Sequence, residues 1–177
     1  MRSAILGTVL TVAAGLAVTA PPRAEAAVLV ASCTATLSGS WSAPLDPGST
    51  NAAQPETLQQ SGPVGCFDDG GAPLVGGTMT RTTVLPAAQC TGIAYSDPST
   101  TFITWSDGTV STLSLGQAAV VTVLGNASTN GSGSMAPASA KFGGDAIDGA
   151  VMTTGPGCGT ASGQTNVTST VVFTLAR

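Results

Sequence analysis

From Thr101 to Leu113 the chain reads TFITWSDGTVSTL, with apolar and hydroxyl side chains alternating on either side of Asp107-Gly108. Period-two alternation marks a half-buried strand. Asp-Gly between two such runs predicts a hairpin, because a type I′ turn needs positive φ at both central residues. A two-residue loop of Asp107 and Gly108 sets Trp105 opposite Val110 and Ile103 opposite Thr112. Trp105, Ile103 and Val110 then share the core-facing side.

The pattern recurs along the chain. Val28 to Trp41 predicts a first strand, with Cys33, Ala35 and Leu37 alternating against Thr34, Thr36 and Ser38. Thr78 to Leu85 alternates Met79, Arg81 and Thr83 against Thr80, Thr82 and Val84, and Pro86 ends it. Gln117 to Leu124, with three valines, predicts a strand buried on both faces. Asn166 to Leu175 predicts the last strand. Shorter strands are expected at Thr57–Gln60, before Gly62-Pro63, and at Cys90–Tyr95, Ala140–Phe142 and Ala150–Thr154. Ala43–Thr57, Val64–Gly77 and Asn126–Ser134 read as loops or turns, and Gly155–Gly159 as a turn pinned by a disulfide. No helical period follows residue 26. The expected fold is all-β: an antiparallel immunoglobulin-like β-sandwich, with a closed β-barrel as the alternative, stapled by two disulfides.

The first residues have a different character. Arg2 precedes an uncharged apolar run, Ala4–Ala20, and Ala24-Glu25-Ala26 supplies a small-x-small cleavage site. Residues 1–26 are read as a signal peptide, leaving 27–177 as a single secreted β domain. Val30-Ala31-Ser32-Cys33 resembles a lipobox, in which Cys33 would be lipidated instead of bridged. Its distance from the apolar run, with Pro21-Pro22, Arg23 and Glu25 between, favours free secretion. No later run is long and apolar enough to cross a bilayer, so no membrane insertion is expected.

Export fits the cysteines. Cys33, Cys66, Cys90 and Cys158 all fall in the mature part, and an even count in a secreted chain implies two disulfides. With no histidine and no C-x₂-C spacing, zinc is disfavoured. The expected pairs are Cys66–Cys90, closing a short loop, and Cys33–Cys158, tying the first strand to the last.

Charge narrows the partners. Once residues 1–26 are removed, Arg81, Lys141 and Arg177 face eight acids: Asp46, Glu56, Asp68, Asp69, Asp97, Asp107, Asp145 and Asp148. Nucleic acid and anionic membranes both need clustered cations, which this chain lacks. Catalytic material is equally sparse. Without histidine no Ser-His-Asp or Cys-His arrangement exists, and Lys141 stands in no nucleophile motif. Asp68-Asp69 and Asp145-x-x-Asp148 sit beside glycines and read first as turn formers, with calcium ligation as a second use. No cofactor and no enzymatic activity are expected. Among the aromatics Trp105 reads as a core anchor, and Trp41, beside a loop, is the candidate surface ligand contact.

The signal, the WSDGTVST stretch and the paired cysteines resemble secreted four-cysteine β-sandwich proteins of actinobacteria, a likeness that implies no particular activity. Composition, export and cysteine count are also similar to the neocarzinostatin-type apoproteins, which implies carriage of a small hydrophobic ligand. The functional expectation is a secreted, non-enzymatic binding or structural module, extracellular or associated with the cell envelope. Its alternatives are a carrier of a small apolar ligand and a protease inhibitor presenting Gly155–Gly159.

Overall fold

The computed structural model describes residues 27–177; the expected signal peptide lies outside the described residues. Ten strands are present: β1 (Leu29–Leu45), β2 (Gln54–Phe67), β3 (Pro73–Ala88), β4 (Gly92–Ser96), β5 (Ser99–Trp105), β6 (Val110–Leu115), β7 (Ala118–Val123), β8 (Asn126–Met135), β9 (Ala146–Thr154) and β10 (Gln164–Ala176). All pairings are antiparallel. The pairing of β5 with β6 continues in the same register into that of β4 with β7, across short breaks at Asp97-Pro98 and Gly116-Gln117. These four strands are therefore one long, kinked hairpin. With β4 and β5 counted as one strand and β6 and β7 as another, each strand pairs with its successor in the chain, and β10 returns to β1. The result is an eight-stranded up-and-down barrel.

All-β structure and two disulfides are as expected, but the closed barrel replaces the sandwich. A sandwich needs two sheets with free edges, whereas here the β1–β10 ladder runs from Leu29 to Leu45 and leaves neither strand an edge. Closure requires sharply coiled strands, and glycine permits it. A Cβ on Gly62 would stand 2.0 Å from the Thr36 carbonyl oxygen, so β1 and β2 cross closer than any side chain allows. Gly62-Pro63 thus bends β2 without ending it, contrary to the expected break.

Several other expectations change. The hairpin loop has three residues, Ser106–Gly108: Trp105 N–H donates to the Thr109 carbonyl, and Gly108 takes φ 82°. This is a turn followed by a glycine bulge. Thr104 therefore faces Val110 and Ile103 faces Ser111. One residue of slip moves Val110 outward, where it is 48% exposed, and brings Ser111 and Leu113 inside with Ile103 and Trp105. Asn126–Ser134, expected as a loop, is most of β8, whose serines face outward while Thr129, Gly131 and Gly133 sit on the inner phase. Ala140–Phe142 is part of the loop over one mouth of the barrel. β7 buries one face only, leaving Val121 and Val123 exposed.

The disulfides also differ from the expected pairs: they are Cys33–Cys66 and Cys90–Cys158. Cys33 and Cys66 are direct partners across β1 and β2, both pointing inward, so local register decides the pairing. The second bridge joins the end of β3 to the β9–β10 loop across the other mouth.

Outward positions on β1 are mostly Thr and Ser, and on β2, β3 and β10 Thr and Ser share the outer face with Pro, Gly, Gln and Val, whereas the inward positions of β1 and β10 are mostly apolar. No helix among the described residues is long and apolar enough to cross a membrane.

Candidate functional site

The barrel interior is filled in two separate blocks. The upper one gathers Leu37, Met79, Ile103, Trp105, Met135 and Phe173 among others. The lower gathers Leu45, Leu85, Ala88, Cys90, Ala94 and Val120, with Trp41 packed against it. Between them lies a polar belt. Gln60, Arg81 and Thr101 are consecutive register partners across β2, β3 and β5, all turned inward. From the opposite wall, Ser169 Oγ accepts from Gln60 Nε2 at 2.6 Å and shares a 2.6 Å hydrogen bond with Thr153.

The belt is not filled. A cavity of about 50 Å³ is bordered by Arg81, Thr101, Gly131, Ile147, Val171 and Phe173. A second, of about 40 Å³, also borders Arg81 and extends toward Trp41. A third, of about 20 Å³, continues past Trp41 toward Gln164. The space exists because the inward position at the middle of β8 carries no side chain. Gly131 and Gly149 are register partners on the inner wall, and a Cβ on Gly131 would meet no atom within 4 Å. Eight strands enclose an interior just wide enough for side chains or one small ligand, so omitting the side chain at Gly131 opens room for the latter. Gly149 is needed instead for the close approach of β10, whose Phe173 Cβ would stand 2.7 Å from an added Cβ. The cavity lies behind a weak point of the wall. There the β8 ladder passes from β6 to β7, and Gly116 N–H to the Ser132 carbonyl bridges the step.

Arg81 is the distinctive group. Its Nε is buried without a hydrogen-bond partner, as is the hydroxyl of Thr101. Neither ion pair among the described residues includes it; these join Lys141 to Asp107 and Arg177 to Asp145. Burial lowers the Arg81 pKa from its ordinary value, because desolvation penalises the charged form. Arginine nevertheless stays protonated at any pH a protein tolerates. A cation thus borders an apolar cavity with no protein anion against it.

The buried acids are used elsewhere. Glu56, near the lower mouth, accepts from Ser42 Oγ, Ala43 N–H at 2.8 Å and Gln54 Nε2 at 3.1 Å. Asp145, near the upper mouth, receives Arg177 Nε at 2.6 Å. Asp68 accepts from Ala72 N–H and shapes the β2–β3 turn, and Asp148 lies on the outer face of β9. The four candidate calcium ligands are thus not brought together, and no group of three or more metal-ligating side chains occurs among the described residues.

Trp41, expected at the surface, turns inward instead. It is half-buried, its Nε1 donates to Gln164 Oε1 at 3.3 Å, and its ring borders the second and third cavities. The upper mouth is covered by the β8–β9 loop. Trp105 Nε1 donates to Ser111 Oγ at 2.8 Å, Ser111 donates to the Lys141 carbonyl at 3.0 Å, and Phe142 meets the Trp105 ring edge-on.

The sequence pattern places Arg81 in phase with Met79 and Thr83, and a charge on the buried phase of a strand was the available signal for this site. Reading it as one of three cations missed that.

Fold and interior together define a disulfide-bonded up-and-down β-barrel with a central cavity. No family model, curated protein or solved structure matches the chain.

Proposed function

We propose that the protein is an exported, non-enzymatic binding barrel that holds a small ligand in its interior. The observation that carries this reading is the cavity opposite Gly131, walled by apolar side chains and bordered by a few convergent polar groups, the composition typical of ligand sites. Export is supported by the two disulfides, which persist in oxidising compartments. Of the earlier alternatives the small-ligand carrier gains most from this geometry, because its site is internal and partly preformed. The expectation of a purely structural module draws no comparable support from the interior.

The test is a titration of the mature chain with small apolar compounds, read by tryptophan fluorescence because Trp41 borders the adjoining cavity. Saturable binding that disappears in Gly131→Leu, a substitution aimed into the empty space, is the expected result. Binding of equal strength in that variant would place the ligand elsewhere and end the proposal.

A further inference from the structure

We propose that the interior ligand is a short-chain apolar monocarboxylate, its carboxylate held by Arg81 with Thr101 beside it and its tail lying among Ile147, Val171 and Phe173. This inference rests on the interior-ligand reading and adds the ligand's chemical class.

Two buried groups in the belt are left without partners, and both border the same cavity: Arg81 Nε and Thr101 Oγ1. Buried polar atoms are otherwise almost always hydrogen-bonded, so two adjoining orphans point to an absent acceptor. The missing acceptor is anionic, because a guanidinium whose Nε is shut off from water calls for a counter-charge, and neither ion pair among the described residues supplies one. A planar carboxylate matches the guanidinium fork.

The rest of the wall selects the remainder of the molecule. Beyond Arg81 the first cavity is bordered by hydroxyls and apolar side chains, with no second cation. One cation balances one negative charge; a phosphate dianion would keep an unpaired charge in apolar surroundings, which is strongly unfavourable. Ile147, Val171 and Phe173 offer a hydrocarbon tail the contacts it needs. The cavity's modest volume keeps that tail short. Opposite the guanidinium, Gly131 leaves the space into which the tail fits.

The test uses calorimetric titration of the mature chain with hexanoate, hexanol, sulfate and inorganic phosphate. Hexanoate is expected to bind saturably at one site and to outcompete both inorganic anions. Arg81→Met should weaken hexanoate about a hundredfold while leaving hexanol at least as tightly bound as before. Thr101→Val should weaken hexanoate by a smaller factor, and Gly131→Leu should abolish binding of both six-carbon compounds. Thermal melts of each variant establish that it is folded. If hexanol binds but Arg81→Met takes hexanoate as tightly as the parent does, the carboxylate assignment is wrong and the interior site survives. Tighter binding of sulfate or phosphate than of hexanoate would likewise overturn the monocarboxylate. Should neither six-carbon compound bind the parent chain, the carboxylate and the interior site fail together.

Discussion

Trp105 and Ser111 face each other inside the upper mouth of the barrel, the indole N–H donating to the serine hydroxyl at 2.8 Å. Both are buried, and the same hydroxyl donates to the Lys141 carbonyl, so one oxygen links the β5–β6 hairpin to the loop that covers it. Ser111→Ala strands the indole N–H and that carbonyl without replacing either partner. The expected loss is roughly 1–3 kcal/mol of stability, the cost of leaving buried polar groups unpaired. Denaturant unfolding measures it, and a loss near zero would mean that water restores both bonds.

Lys141 and Asp107 join the same loop and hairpin from outside, at 2.6 Å. The lysine hydrogen bond, followed by those from Thr109, holds the Asp107 pKa below the ordinary carboxylate range. A depressed folded pKa favours the native state above the unfolded value, and that contribution disappears as pH falls through the folded one. Acid titration by NMR should find Asp107 still ionised below the ordinary carboxylate range. Lys141→Met should return the Asp107 midpoint toward the ordinary value near 3.9. Because the pair is open to solvent, overall stability at neutral pH should change little.

Arg81→Met offers a test of the interior charge that needs no ligand. An unpaired guanidinium at the belt costs stability at every working pH, since its pKa is lowered by burial and it remains charged. Methionine fills similar space without that cost. The unliganded variant should therefore be more stable by about 1 kcal/mol or more. A destabilised variant would show that Arg81 is structurally satisfied after all.

Two glycines in the wall should respond oppositely to a methyl group. At Gly62 the new Cβ would collide with the Thr36 carbonyl oxygen, and backbone cannot yield as a flexible side chain can. Gly62→Ala should cost about 3 kcal/mol or more, or prevent folding. At Gly131 the methyl enters open space, so Gly131→Ala should be neutral or stabilising. Melting temperatures of the two variants, compared side by side, decide the point.

Removing Cys90 and Cys158 together releases a cross-link between residues 68 apart, against 33 for Cys33 and Cys66. In the chain-entropy account that loss is about 4 kcal/mol. Hydrogen exchange should show the protection lost first around the lower mouth, at Gly125 and Gln164, whose contacts reach across it.

Strand existence was legible wherever apolar and hydroxyl residues alternate: β1, the middle of β3, β5 and β10 all follow that signal. β8 was not, because NASTNGSGS has no large apolar residue before Met135; neighbours on both sides impose the strand, as tertiary context often does. Register was lost at Asp107-Gly108, where the same dipeptide serves a two- or a three-residue loop and one residue inverts the face of β6. Barrel closure was invisible because the β1–β10 ladder joins residues more than a hundred positions apart. The candidate site shared that fate. Its cavity is made by the absence of a side chain at Gly131, and only closure brings that position to the same cavity as Arg81.

The hydroxyl coat of the outer wall has a consequence for how the molecule behaves in company. Threonine and serine neither titrate nor gather counter-ions, so the stretches of wall they cover respond through charge to neither acidity nor salt. Those stretches should present the same face in dilute buffer and in brine, leaving any response to salt to the few charged side chains.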